Sequence, residues 1–281
     1  MSHMSGDLIR SGLSTHVFGQ NVVYTRQTGS TNSDLKKVAR QNAPEGLLFV
    51  TDEQLVGRGR LKRNWYAPPE SSLLTSLLFR PGDIVAPPQT QYLTMLCALA
   101  MADSIKKHAG ISPGLKWPND IVWQDGRKLG GILTEFEVEG NHLGWVIVGV
   151  GLNVNIEFGR EVETAPNRTE TSPVSRRPLE ETAISLSMLL GRNTDDLRLP
   201  ILQQYLINVE TRYHALRQGQ LPREEWESQL IGLGQAVTVT VLDDGRAYEG
   251  VMTGIDDYGA LRVTQADGLT MTFIAGDVTL Q

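Results

Sequence analysis

The spacing of hydrophobic positions changes along the chain, and each change marks an element. Between residues 29 and 46, Leu35, Val38 and Ala39 recur at helical spacing, so this segment reads as a helix. Ser30 or Thr31 can cap its start, Asp34 sits three residues after Thr31, and Pro44 and Gly46 stop it. Apolar runs of strand length follow at 47–51 and 73–79, separated by a loop rich in Gly, Arg and Lys. Residues 89–108 carry Leu93, Leu96, Cys97, Ala100 and Ile105 at helical spacing behind Pro87-Pro88, which predicts a second helix. Strand-like pieces come next at 114–117, 121–123, 128–137 and 143–151, with Asp125-Gly126 and Gly140-Asn141 as hairpin turns. Strands joined by short turns predict an α+β protein with a mixed, mostly antiparallel sheet rather than a doubly wound one.

Residues 157–181 are polar and rich in Pro, Thr, Arg and Glu, the composition of a long mobile loop. Helical patterns return at 179–190, 195–216 and 223–230. The final stretch alternates apolar and polar residues between the turns Asp244-Gly245, Tyr258-Gly259 and Asp267-Gly268. This change of period predicts a domain over 1–232 and a second over 233–281. A small β-barrel closes such short strands.

Composition narrows the function. With 281 residues, 40% of them hydrophobic, the chain can bury a sizeable core without staples. Its net charge is −6 and it has no long basic run, which argues against non-specific nucleic-acid binding. No apolar stretch is long enough to span a bilayer and the N-terminus lacks a signal-peptide core, so a cytoplasmic protein is expected. The single cysteine, Cys97, lies in an apolar run, and the five histidines have no ligand-like spacing. No metal cage of His and Cys is expected.

Three segments carry candidate chemistry. In Gly57-Arg58-Gly59-Arg60, followed by Lys62, Arg63 and Trp65, the glycines expose backbone N–H groups and the arginines add forked donors for carboxylate or phosphate. In an acidic chain, such a local basic loop points to a bound anion or to a solvated turn. The loop is neither a Walker A loop nor a dinucleotide fingerprint. The second segment is Lys116-Trp117-Pro118-Asn119-Asp120, then Lys128-Leu129-Gly130-Gly131. Pro118 sets a turn that presents Asn119 and Asp120, and the glycines after Lys128 allow a ligand or another backbone to come close. The third is Gly149-Val150-Gly151-Leu152-Asn153, a strand ending in small residues and an amide.

Taken with Ser30-Thr31-Asn32, and in this order, these segments resemble the biotin–protein ligase family. The resemblance covers nearly the whole chain. It implies a catalytic domain like that of the biotin ligases and class II aminoacyl-tRNA synthetases, followed by a small SH3-like β-barrel. It also implies a two-step reaction: biotin and ATP give biotinyl-5′-adenylate and pyrophosphate, and the lysine of a biotin carboxyl carrier domain then takes the biotinyl group. On this resemblance Lys128, Arg58 and Asp120 are the catalytic residues. Ser30, Thr31, Asn32, Gln54, Gly57, Arg58, Gly59, Arg60, Lys128 and Gly131 bind biotin, and Arg60, Arg63, Trp65, Asn119, Lys128 and Asn153 bind the nucleotide. Mg²⁺ accompanies ATP. Lys128 is expected beside the reacting carboxylate and phosphate, and Asp120 near the acceptor lysine. The Gly-Arg-Gly-Arg loop is expected to be a lid, disordered when empty and ordered around the adenylate.

Bifunctional members carry an N-terminal helix-turn-helix domain. Here Ser30-Thr31-Asn32 comes too early to leave room for one, so a ligase that does not bind DNA is expected. A lipoate or octanoyl ligase of related fold is the nearest alternative, followed by a binding module without chemistry. An exposed edge of the main sheet offers pairing with a second copy, hence a homodimer.

Overall fold

A computed structural model describes residues 4–60, 63–82, 84–158, 178–241 and 245–281. The elements run α1 (Gly6–Ser11), β1 (Val22–Thr28), α2 (Thr31–Ala39), β2 (Leu48–Gln54), β3 (Ser72–Phe79), α3 (Gln91–Ala109), β4 (Gly114–Lys116), β5 (Asp120–Val122), β6 (Lys128–Glu139) and β7 (His142–Asn153). Then come α4 (Leu179–Thr182), α5 (Leu186–Leu190), α6 (Arg198–Arg217), α7 (Arg223–Ser228), β8 (Ala236–Thr240), β9 (Ala247–Ile255), β10 (Leu261–Thr264), β11 (Thr270–Phe273) and β12 (Asp277–Leu280).

Strands β1 to β7 make one sheet in the order β1-β2-β3-β7-β6-β5-β4. The β1–β2 pair is parallel and the other neighbours are antiparallel, the mixed sheet that the short turns predict. Every residue of β3 is buried, because the strand is covered on both faces. On one side Leu78 joins Leu35 and Ala39 of α2, with Trp145 and Ile147 of β7. On the other, Leu73, Leu77 and Phe79 join the large core built with α3 and α6. α3 is apolar around most of its circumference because it lies between the sheet and α6.

A buried ion pair fixes α6 to the sheet. Arg198 Nη2 lies 2.7 Å from Asp52 Oδ1, and Nε donates to Ser72 O at 3.1 Å. The Tyr24 hydroxyl donates to the other oxygen of Asp52. Burial and the Asp52 carboxylate push the Tyr24 phenol up to about 12, so it stays a donor.

Several elements differ from expectation. The helix predicted over 29–46 stops at Ala39, and Asn42 turns the chain with φ 60°. The helix predicted over 179–190 is two. Ala183 leaves helical geometry to bridge Lys128, with Ile184 N donating to Lys128 O at 2.9 Å, and Ser185 then caps α5 by accepting from Met188 N. β1 and α1 have no counterpart in the sequence reading. Of the polar loop at 157–181, residues 159–177 lie outside the described residues.

The last five strands form an antiparallel sheet in the order β11-β10-β9-β8-β12. Two of the predicted turns fall between its strands; Asp244 lies outside the described residues. Val237, Val239, Leu261 and Val263 continue the main core. Trp117 Nε1 donates to Gly259 O at 2.9 Å, and Glu227 accepts from Ile255 N at 3.0 Å. These bonds hold the C-terminal sheet against the β4–β5 hairpin and α7. Among the described residues, no helix is long and apolar enough to cross a membrane.

Candidate active site

A cleft of about 870 Å³ opens between the start of α2, the basic loop, the β4–β5 hairpin, the strands β6 and β7, and β12. Every residue assigned to biotin or nucleotide by the resemblance lines it, apart from Gly57.

At one end the start of α2 is built into a polar network. Thr31 donates its backbone N–H to Gln54 Oε1 at 2.8 Å and its hydroxyl to the same oxygen at 3.1 Å. The Ser76 hydroxyl lies 2.7 Å from Thr31 Oγ1 and 2.6 Å from Asn32 Oδ1, and gives its single proton to one or the other. Asn32 Nδ2 donates to Leu133 O at 3.1 Å and to Glu135 Oε2 at 3.0 Å, so both amide hydrogens are used internally. Asn32 lies so close to β7 that a β-carbon at Gly149 would come 2.2 Å from its Oδ1. Ser30 is the N-cap by position, yet its side chain makes no capping bond.

The basic loop folds as a narrow ribbon. Gly59 N donates to Arg63 O at 2.7 Å, and Trp65 N donates to Gly57 O at 2.9 Å. A β-carbon on Gly57 would meet Trp65 O at 2.5 Å, which is why glycine stands there. Leu61 and Lys62 lie outside the described residues. The loop's cations go to different places. Arg58 Nη2 donates to Ser33 Oγ at 2.8 Å and Glu135 Oε2 at 3.1 Å. Arg60 Nη1 reaches Asn119 Oδ1 at 3.3 Å, and Arg63 pairs with Asp277 of β12.

Lys128 Nζ lies 2.7 Å from Asp120 Oδ1 and 5.5 Å from the centre of the Trp65 ring. That indole lies over the glycine floor of β6 and β7: β-carbons at Gly131 and Gly151 would stand 3.0 and 2.6 Å from it. Its Nε1 is buried without a hydrogen-bond partner. Asp120 faces Lys116 across the hairpin. Burial pulls the Lys116 ammonium below the usual amine range, opposed by Asp120 and Asp277. Burial likewise lowers Arg60, again opposed by Asp120 and Asp277. Cations held in poor solvent gain more from an arriving anion than solvated ones do. At the far end Asn153 gives Nδ2 to Lys128 O at 3.3 Å and Ile184 O at 3.1 Å.

Sequence reasoning missed three contributors. Glu135 and Asp277 belong to no motif of the sequence, and Lys116 enters it only as the first residue of a turn motif. The cue available for Lys116 was its place opposite Asp120 across a proline turn. Asp277 is 214 residues from Arg63, and nothing local signals the pairing.

A cleft lined by Arg60, Lys116 and Lys128, with amide and hydroxyl groups at one end and a glycine floor, is the site of an enzyme that brings anionic substrates together. Comparison with known proteins narrows the class. Residues 24–153 match the Biotin/lipoate A/B protein ligase family, and residues 232–280 match the Biotin protein ligase C terminal domain. The chain is 35% identical to the bifunctional ligase/repressor BirA of Bacillus subtilis (strain 168), over 97% of this chain and 78% of that protein. It is 30% identical to the biotin–[acetyl-CoA-carboxylase] ligase of Mycobacterium tuberculosis, over 90% of this chain and 86% of that one. The fold is similar to that of the biotin protein ligase from Aquifex aeolicus in complex with biotin and ATP (TM-score 0.69, 24% identity, 93% of this chain and 99% of that chain). The chain belongs to the biotin–protein ligase family.

Proposed function

We propose that the chain activates biotin with ATP and passes the biotinyl group to a lysine of a biotin carboxyl carrier domain. The observation that carries this reading is the convergence of Arg60, Lys116 and Lys128 on one cleft whose end is built from Thr31, Asn32 and Gln54. A biotin carboxylate oxygen attacks the α-phosphorus of ATP and the bond to pyrophosphate breaks. Two anions must meet in that step, and Lys128 with Arg60 offsets their repulsion. The acceptor amine then attacks the acyl carbon of the adenylate, AMP leaves, and the amine loses its proton. Asp120, whose carboxylate pairs with Lys128, takes that proton once Lys128 turns to phosphate.

Ser30, Thr31, Gln54 and the loop backbone at Arg58 face the ureido ring, and Asn32 acts as their support. Gly131 lets the ligand lie on β6. Asn119, Arg63, Trp65 and Asn153 serve the nucleotide. The residues do not fit a resident metal: among the described residues no group of three His, Cys, Asp or Glu could hold one. Of the carboxylates that line the cleft, Asp120, Asp125 and Asp277 are engaged by Lys128, Arg127 and Arg63. Mg²⁺ therefore arrives as the counter-ion of the nucleotide's own phosphates. The catalytic part occupies 1–232 and the β domain 233–281, a division supported by the start of β8 at Ala236 and by the separate family matches.

The test is pyrophosphate release with ATP, Mg²⁺ and either biotin or lipoate. Biotin-dependent release supports the reading; release with lipoate alone, or none from folded protein, overturns it. Lys128→Ala should abolish adenylate formation, whereas Asp120→Ala should chiefly slow transfer to the carrier lysine. Equal loss of both steps in Asp120→Ala would sink that division of labour.

A further inference from the structure

The three described cations of the loop, Arg58, Arg60 and Arg63, are not equivalent. Arg58 turns its guanidinium away from Arg60, Lys116 and Lys128, towards α2 and the outer part of β6. There it meets Ser33 Oγ at 2.8 Å and Glu135 Oε2 at 3.1 Å. The same oxygen accepts from Asn32 Nδ2 at 3.0 Å, and the other carboxylate oxygen lies 3.8 Å from Lys36 Nζ. Glu135 is 21% exposed, so its charge is screened less than that of a free surface acid. One carboxylate thus holds the root of the basic loop, the Asn32 amide that meets Ser76, and the first turns of α2.

We infer that Glu135 is a positioning residue for the adenylate-forming reaction, and that Arg58 serves by mooring the loop to it rather than by touching reacting atoms. The inference rests on the functional reading above. The chemistry of the contact supports it. Arginine presents several donors in a fixed fork, so Arg58 can hold Ser33 and Glu135 together, which a lysine cannot do in this geometry. Charge-assisted bonds are stronger than neutral ones. They fix the direction in which the ribbon leaves Gly57, and with it the reach of Arg60 to Asn119. Asn32 has no spare amide hydrogen, so movement of Glu135 passes directly to the biotin end of the cleft.

The experiment is a double-mutant cycle of Arg58→Ala, Glu135→Ala and the double variant, with Glu135→Gln as a milder second probe. Two readouts are followed. The first is the rate at which trypsin cleaves after Arg63 in ligand-free protein, which needs no catalysis. We expect it to rise about tenfold in either single variant and no further in the double, because the two residues act through each other. The second is steady-state pyrophosphate release. The KM for biotin should rise about tenfold in Glu135→Ala, while kcat stays within about threefold, since the reacting cations are untouched. Glu135→Gln keeps the acceptor for Asn32 and loses the charge, so it should fall between wild type and Glu135→Ala. Additive effects of the two alanine variants on cleavage would overturn the mooring, as would wild-type cleavage in either. A kcat loss of a hundredfold or more in Arg58→Ala with unchanged KM would return Arg58 to the chemistry. If wild-type protein releases no pyrophosphate with biotin, the functional reading fails while the cleavage cycle still decides the mooring.

Discussion

Gly151→Ala tests whether the Trp65 indole belongs on the floor of the cleft. A β-carbon at 151 would stand 2.6 Å from Cε2 of that ring, 2.7 Å from Cζ2 and 3.0 Å from Nε1. Carbon atoms in contact need about 3.5 Å, so the ring must rise by roughly 1 Å or tilt. Neither movement is free. The Lys128 ammonium lies 5.5 Å from the ring centre, and Trp65 N is bonded to Gly57 O at 2.9 Å. The displacement therefore passes to Lys128 and to the root of the loop. Misplacing reacting groups by about 1 Å can cost about a hundredfold in rate. Packing loss and a weakened cation–π contact together amount to about 1 kcal/mol, or about 3 °C in Tm for a chain of this size. The expected outcome is a fall in kcat for biotin-dependent pyrophosphate release of about ten- to a hundredfold, with Tm lowered by about 3 °C or less. Gly29→Ala, whose β-carbon meets nothing within 4 Å, is the control and should keep the wild-type rate. An undiminished rate in Gly151→Ala would refute the placement of the ring and the route to Lys128.

Three further outcomes follow from other parts of the molecule. Asp52→Ala leaves Arg198, with only 7% of its side chain exposed, buried and unpaired; urea denaturation should show a loss of about 3–5 kcal/mol, and a loss below about 1 kcal/mol would contradict the pairing. The Glu210 carboxyl is raised by burial, but N–H groups of Phe18, His16 and Val17 outweigh this and hold it below its ordinary 4.5. A folded pKa below the unfolded one stabilises in full above about pH 4.5 and loses that contribution as pH falls through the folded value. Glu210→Gln should thus narrow its stability gap to wild type only below about pH 4.5, and a gap constant down to pH 3 would argue otherwise. Burial pushes the Cys97 thiol up to about 12, so a thiol reagent at pH 8 should label it only as fast as the protein unfolds; prompt labelling of native protein would show the site to be open.

Strong periodicity made most of the fold legible. Leu35 and Ala39 are buried at helical spacing, and Lys128 and Gly149 fall in paired strands as their turns imply. β1 escaped because Val22–Thr28 is an edge strand without a buried residue, and its apolar part is only Val22-Val23-Tyr24 before four polar residues. The break at Ala183 escaped because its cause is a bridge to Lys128, far away in sequence. In the site, residues of one motif are near one another in the chain, and their order sufficed to gather them. Glu135 and Asp277 act on the loop from 77 and 214 residues away, and no local rule joins an acid on a strand to an arginine in a distant turn.

The strand order has a consequence for how the enzyme holds together without substrate. β1, β2 and β3 form one run of chain neighbours, and β4, β5, β6 and β7 form another. The two join along a single line where Ser72–Phe79 pairs with the last residues of β7. Thr31 and Gln54 belong to the first run; Asp120, Lys128 and Asn153 belong to the second. Each run is assembled from contacts close in sequence, while the join needs distant ones, so it is the slower step of folding. A ligand lying in the cleft touches both runs and ties them across that join. It adds to the free energy of holding them together by an amount that grows with its concentration over its dissociation constant. A cell short of biotin would then hold a less persistent ligase, its turnover by proteases rising as its substrate falls.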